Sequence, residues 1–455
     1  MRSQGKSAAF ITWDGPQQNY LESLYLPILG RVAERGINFS VLQFAWGEGL
    51  RRVSTVRSAA QLGIAYEVHK IFRRPLRPAT LAMILIGATR IVAHARTHRT
   101  EVLIPRSIIP GAMTLLAHQH LPEVRIVYDS DGFVADERVE FDGWSERGLS
   151  YRLFRGVEAQ ICRVADSVMT RSEMAAHILR RRVGNELDPG DIYIVPNGKE
   201  PSLFSPGTKE SRSQVRRELG VGEGAPLLLY AGSLGERYLP EHLFRFYAEV
   251  RRRRADSFLV VLTGHQELAR KIAKKVGLPS SALAIQRVPP ETVPSYLAAA
   301  DLGISLRKET FSQQGVAPIK HAEYLLCGLP IIVTSGVGDV DRQLTRAEGI
   351  VLTDVDNRTL QEAADQFLER ILPNRESFRR RCRQTGLRYF DLENTARGYC
   401  DAIERAREDS PMSLINSYPM AVEVERAREG DPGAKGRYNP AEAAISRYIL
   451  NTFRL

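Results

Sequence analysis

Ser312-Gln313-Gln314-Gly315-Val316-Ala317-Pro318-Ile319-Lys320-His321-Ala322-Glu323-Tyr324-Leu325-Leu326-Cys327-Gly328-Leu329-Pro330 is the stretch on which the reading of this chain turns. Pro318 suits a helix start, Gly328 suits the position just past a helix end, and Pro330 bars continuation. The loop Gly315-Val316-Ala317 therefore delivers backbone N–H groups at a helix N-terminus, where no intrahelical acceptor exists and anions are favoured. Lys320 and Glu323 lie three apart and project from one face of the first turns. On most surfaces such a pair is only an ion pair. Here the loop, the helix and the strand that follows it make a different pairing sensible: a cation for a diphosphate and a carboxylate for two ribose hydroxyls.

Outward from this stretch, short apolar runs alternate with helical segments, the pattern of parallel sheets built from βαβ units. Upstream strands are expected at Ala8–Trp13, Phe39–Phe44, Val102–Pro105, Arg125–Tyr128 and Ile192–Val195. The second half repeats the plan at Pro226–Ala231, Phe258–Leu262, Ala282–Val288, Leu302–Leu306, Leu329–Val333 and Gly349–Leu352. The Pro/Gly-rich run from Pro196-Asn197-Gly198 to Pro206-Gly207 reads as the joint between them. The expected class is α/β: two Rossmann-like domains facing across a cleft, at residues 1–200 and 207–390, with helices and a tail over 391–455. A last helix is signalled by Asn439, Pro440 and Glu442, with Ile445, Tyr448, Ile449, Thr452 and Phe453 on one face.

The bulk numbers exclude some classes. With 455 residues, 43% hydrophobic and 25% charged, the chain has the composition of an ordinary globular protein. Cys162, Cys327, Cys382 and Cys400 are scattered, with no metal or disulfide spacing, so reduced thiols in a cytoplasmic protein are expected. No signal peptide is legible, and the longest apolar run, Leu81–Ala88, is too short for a bilayer span. Charge is uneven: residues 51–100 hold ten Lys/Arg against Glu67 alone, +9 of the chain's +10. Such a segment suits an anionic membrane surface, which would place the protein peripherally on the inner face of the plasma membrane. A solvated basic face and a nucleic-acid surface are the alternatives, and no nucleic-acid partner is expected.

The segment from Pro318 to Pro330 resembles the donor-binding signature of the retaining family-4 glycosyltransferases of the GT-B fold, in the variant P-x-K-x-x-E-Y-x-x-x-G-x-P. Ser335-Gly336-Val337-Gly338-Asp339 is similar to that family's next Gly-rich loop. Val195-Pro196-Asn197-Gly198 with Phe204 resembles its inter-domain junction. Tyr230-Ala231-Gly232-Ser233-Leu234-Gly235 resembles its glycine turn, with Arg237 near a phosphate-binding base, and Val288–Leu297 resembles the loop and helix flanking the nucleoside base. The resemblance spans about residues 8–405. It implies transfer of a sugar from a nucleotide-diphosphate sugar to an acceptor with retention, without a metal or other cofactor, the donor being a co-substrate. Donor contacts fall on Gly15, Ser233, Arg237, Gln314, Gly315, Val316, Ala317, Lys320 and Glu323.

Departures matter as much. Gly315 stands where many relatives carry a Glu for the donor sugar, so Gln313 or Gln314 is the candidate substitute. Ser233 replaces an Arg, leaving more diphosphate charge to Arg237 and Lys320. Asp129-Ser130-Asp131-Gly132-Phe133-Val134-Ala135-Asp136-Glu137-Arg138 resembles the D-x-x-G-F-x-x-D-E-R run of a polysaccharide-assembly branch, which points to lipid-linked or cell-surface acceptors. Asp131 then takes the place of the family's catalytic His, alongside Glu323, Lys320 and Arg237. A GT-B nucleotide-sugar epimerase, or a non-catalytic membrane-bound nucleotide-sugar scaffold, is the rival reading. The nucleotide, whether UDP, GDP or dTDP, stays open.

Three motifs are expected to be decoys. Asp129-Ser130-Asp131 is a DxD but lies in the half opposite the diphosphate signature. His94 and His98, four apart, share a basic helix with no third ligand in view and are expected to be exposed; His118 and His120 read as merely polar. Asp14-Gly15-Pro16 is either a tight turn or a close approach of backbone to a ligand.

Overall fold

The computed structural model describes residues 6–407 except 16–18, 47–50, 73, 75 and 185. The expected helix at 439–453 lies outside these residues. The first sheet contains β1 (Lys6–Asp14), β2 (Ile37–Ala45), β3 (Ala65–Lys70), β4 (Val102–Pro105), β5 (Arg125–Asp129), β6 (Ser167–Thr170) and β7 (Ile192–Ile194). The second contains β8 (Leu227–Ala231), β9 (Phe258–Leu262), β10 (Leu283–Gln286), β11 (Leu302–Ser305), β12 (Ile331–Thr334) and β13 (Gly349–Leu352). Their orders are 3-2-1-4-5-6-7 and 10-9-8-11-12-13, parallel in both sheets. Each order reverses once, between β1 and β4 and between β8 and β11, and open α/β sheets bind ligands at the strand ends beside such a reversal.

The sheets are buried on both faces, so central strands read as unbroken apolar runs rather than alternating ones. Leu227, Leu228, Leu229 and Tyr230 of β8 are all buried. Each sheet separates two apolar layers, one under each set of helices.

The joint is double. Residues 195–206 carry the chain into the second domain, and Lys199 bridges Asp391 where it returns. Residues 392–407, set apart from both domains in the sequence reading, pack into the first. The helix Leu392–Arg407 buries Tyr399, Ala402, Ile403 and Ala406 against β5 and β6, and Ser167 donates to the carbonyl of Ala402 at 2.9 Å. Burying a side chain such as Ile403 contributes roughly 1.5–3 kcal/mol, which ties this last described helix to the first core.

The apolar run at residues 81–88 is the middle of a longer helix, Leu76–His98. Among the described residues, its Pro78–His98 portion is the one candidate for a bilayer span by length and composition. Met83, Ile84, Ala88, Ile91 and Ala95 instead fill the first core. It is a core helix with an outward basic face.

Candidate functional site

The helix Ile319–Leu326 forms as its sequence demands. Gly328 takes φ +66°, Leu329 N–H donates to the carbonyl of Tyr324, and Gly328 N–H donates to that of Leu325. This is a Schellman stop, and only glycine adopts that backbone freely. The start is displaced by one residue, since Pro318 is extended at φ −62°, ψ 120° and caps the helix rather than opening it.

The first turn of this helix brings Lys320 under the glycine turn after β8. A β-carbon on Gly232, whose φ is +138°, would lie 3.2 Å from Lys320 Nζ. The ammonium rests over the rings of Tyr230 at 4.1 Å and Tyr238 at 4.8 Å and has no hydrogen-bond partner among the described residues. Burial and then the neighbouring guanidinium of Arg307 push its pKa down to about 7, and Glu323 only partly opposes them. An ammonium so placed gains from an incoming anion, which restores the charge that burial suppresses.

Arg307 was not anticipated. It follows β11, is buried, stacks on Tyr238 at 4.9 Å and donates from Nε to Gln313 Oε1 at 2.8 Å. Gln313 is thus turned inward onto an arginine. Gln314 is half-buried, and its carbonyl accepts from Ser172 Oγ at 2.7 Å. Gly315 has no room for a side chain: a β-carbon there would lie 2.8 Å from the ring of Phe133. The Glu of relatives is thus replaced by an aromatic ring from the opposite domain.

Val316 and Ala317 complete the loop. Asn197 of the joint donates from Nδ2 to the carbonyl of Ala317 at 2.7 Å. Glu323 meets Lys199 Nζ at 3.2 Å, and Lys199 also donates to the carbonyl of Ser23 at 2.8 Å. The signature helix is thereby fastened to the hinge. Ser233 is exposed, while Arg237 pairs across the cleft with Glu137 at 2.8 Å.

Opposite this pocket, Asp131 stands among arginines. Arg106, one residue past β4, and Arg171, one residue past β6, both reach it, the latter at 3.3 Å through Nε. Tyr25 donates to it at 3.1 Å. Burial would push its pKa up, but the two guanidiniums outweigh burial and hold it below the ordinary carboxylate range. Asp129, buried behind it, accepts from Arg171 and from Tyr399 Oη at 3.0 Å. Both carboxylates of the DxD are thus covered by guanidiniums, and the donor set does not offer a cation an open pair. Asp14 extends the cluster, accepting from Thr12 at 2.8 Å, Gln43 at 3.1 Å and Arg106 at 3.4 Å. A β-carbon at Gly15 would lie 2.6 Å from the Trp46 ring, so the turn there is closely packed.

The helix Val134–Asp142, which continues the 129–138 run, is anchored within the first domain and clamps it to the second. Asp136 is buried against Arg182 at 2.7 Å. From the helix Val134–Asp142, Glu140 accepts from Thr310 Oγ1 at 2.7 Å and from the Ser312 amide at 2.9 Å. Asp339, after β12, accepts from the Glu173 amide at 3.0 Å. Diphosphate-side and carboxylate-side groups are held face to face.

Two parallel-sheet domains facing across a cleft, with Lys320 on a helix start in one and a carboxylate–arginine cluster in the other, define a GT-B architecture. The family described as Glycosyl transferases group 1 matches residues 211–386. That match lies within the second domain, where the motifs that resemble the family-4 glycosyltransferases also fall. The chain is 28% identical to a D-inositol 3-phosphate glycosyltransferase from Nocardioides sp. over 273 residues, which is 55% of this chain and 56% of that relative. It thus spans about half the length of the curated relatives it matches. A glycosyltransferase from Rickettsia africae superposes with a TM-score of 0.67 at 13% identity, covering 90% of this chain and 100% of that one. HepE from Anabaena, in complex with UDP-glucose, gives 0.64 at 13% identity over 88% and 99%. At such identities the likeness is one of fold.

Proposed function

We propose that the protein transfers a sugar from a nucleotide-diphosphate sugar, with retention, to an acceptor held by the first domain. One observation carries this reading: the buried ammonium of Lys320, with no hydrogen-bond partner among the described residues, sits beside Arg307 under the Gly232 turn, at the head of the helix bearing Glu323. The diphosphate would lie against Lys320, Arg307 and the amides of the Val316–Ala317 loop, with the ribose on Glu323. Charge grows on the leaving diphosphate as the glycosidic bond breaks, so groups already positioned there lower the barrier without reorganising. Asp131, kept ionised by Arg106 and Arg171, would face the positive charge developing on the sugar. The domain clamp at Glu140 and Asp339 would exclude water that otherwise hydrolyses the donor. No step here calls for a metal ion.

The acceptor we propose is a lipid-linked or cell-surface saccharide met at the cytoplasmic face of a membrane. Support comes from exposed Val53, Val56, Phe72 and Ile86 in the same segment as exposed Arg57, Arg74 and Arg90. Apolar side chains set among arginines suit shallow insertion into an anionic bilayer. Arg73 and the Arg77 side chain lie outside the described residues. Incubation with UDP-, GDP- and dTDP-sugars, with and without extracted lipid-linked saccharides, tests the reading. Sugar transfer that requires the lipid fraction is expected. A new sugar nucleotide formed without acceptor would instead favour an epimerase.

A further inference from the structure

Far from the cleft, at the β3 edge of the first sheet, His94 and His98 are one turn apart on the helix Leu76–His98 and meet Glu67 of β3. His94 is buried, not exposed as its sequence context suggests, and the third ligand missing from the sequence is supplied by the strand. Glu67 Oε1 lies 2.9 Å from His94 Nδ1 and 3.3 Å from His98 Nε2, and the three donor atoms lie within 4.8 Å of one another. His69, two residues along the same strand, places Nε2 at 3.6 Å from Glu67 Oε2; that atom is buried and has no hydrogen-bond partner.

We infer that Glu67, His94 and His98, with His69 beside them, form a binding site for a divalent transition-metal ion of the zinc type. Zinc takes imidazole nitrogens and carboxylate oxygens at about 2.0–2.2 Å in a tetrahedron, which needs donors roughly 3.3 Å apart. Two of the measured separations are already close to that. An i,i+4 pair of histidines facing a strand carboxylate is a geometry a small ion closes with little movement. The second layer also agrees. His94 reaches Ser40 Oγ at 2.8 Å through Nε2, so an Nε2–H donated to Ser40 leaves Nδ1 free to bind a metal, and ligating histidines are usually oriented in this way. Burial favours neutral His94 and His69, the form that ligates, although Arg90 beside His69 adds positive charge that the ion must overcome. The site would pin the half-exposed edge strand β3 to the helix that carries the basic surface, a structural clip rather than a catalytic centre.

The test uses the full, tag-free chain stripped with chelator and titrated with Zn²⁺, and in parallel with Co²⁺, whose visible absorption reports tetrahedral nitrogen–oxygen ligation. One equivalent should bind with micromolar or tighter affinity. Glu67→Gln and His98→Gln, both at solvent-accessible side chains, should each weaken binding at least tenfold, while His120→Gln should leave it unchanged. Ser40→Ala should weaken it by roughly 10–100-fold. Binding that is not saturable, or that is equal in the chain and in both ligand variants, would overturn the assignment and leave the cluster a hydrogen-bonded ion pair.

Discussion

The two faces of the cleft solve the problem of buried charge in opposite ways. On the first-domain face each carboxylate of the cluster has a partner: Asp131 has Arg106 and Arg171, Asp129 has Arg171 and Tyr399, and Asp14 has Arg106. In the second domain the buried ammonium of Lys320 has aromatic rings beneath it and a like charge beside it, and Glu323 opposes that only in part. A saturated cluster stabilises and orients. An unanswered cation costs stability, and it is retained where a ligand supplies the missing charge. On the proposed reading, the contrast places the diphosphate at Lys320 and gives the acidic cluster a positioning, field-setting role.

The largest expected effect lies on the saturated side and should appear as stability. Asp129→Ala removes the closer of Arg171's two carboxylate partners and the acceptor of Tyr399 Oη, and breaking a buried pair from one side costs about 3–5 kcal/mol. Thermal unfolding should show a lowered Tm with no ligand present. An unchanged Tm would mean that water reaches the cluster and that it is not the sealed unit described.

On the unanswered side the ordering reverses. Lys320→Ala should lower turnover by about 10²–10³, the loss typical of one transition-state donor, while leaving Tm unchanged or raised because a desolvated cation has been removed. Steady-state kinetics and unfolding on the same variant check both halves. A variant with lowered Tm and normal turnover would erase the contrast between the two faces.

These two halves were not equally legible. The glycine turn, the proline-led helix and its Gly328 stop are local patterns, so the donor side could be read from consecutive residues. The arginine cluster could not, because Arg106, Arg171, Tyr25 and Tyr399 come from four distant segments joined only by the fold. A usable signal was present nonetheless: Arg106, Arg171 and Arg307 each follow a strand end within two residues, where the crevice rule places ligands. The strands Ala65–Lys70 and Ser167–Thr170 were missed for physical reasons. The first is a half-exposed edge with little apolar content, and the second is only four residues long. Missing β3 also hid Glu67, and with it the partner of His94.

A smaller effect is expected at Glu323. Its charged hydrogen bonds to ribose would be worth roughly 1.5–3 kcal/mol, so Glu323→Gln should weaken donor binding by about ten- to a hundredfold. Calorimetric titration with donor measures this directly. Because Glu323 also pairs with Lys199 at 3.2 Å, Lys199→Met is the control. It should disturb the hinge but spare most of the donor affinity, and equal losses in both would make the pair structural.

The smallest effect is a pH slope. Lys320 titrates at about 7 in the free protein, and a bound diphosphate raises that value by favouring the charged form. Below 7 the lysine is charged in both states and affinity is flat. Above 7 binding must take up a proton, so affinity should fall with rising pH, approaching about tenfold per unit, or 1.4 kcal/mol, until the pKa of the complex is reached. Calorimetry in two buffers of different ionisation heat should register that proton uptake, and Lys320→Met should abolish it.

The most direct measurement is thermal unfolding of the full chain and of Lys320→Ala across a panel of UDP-, GDP- and dTDP-sugars. A ligand that binds only the folded state at 100 times its Kd adds about 2.7 kcal/mol. The wild-type Tm should therefore rise with at least one donor, and the variant's response to that donor should be lost or much reduced. A wild-type chain indifferent to every nucleotide sugar, or a variant that responds as fully as wild type, would contradict the assignment of Lys320 to the donor diphosphate.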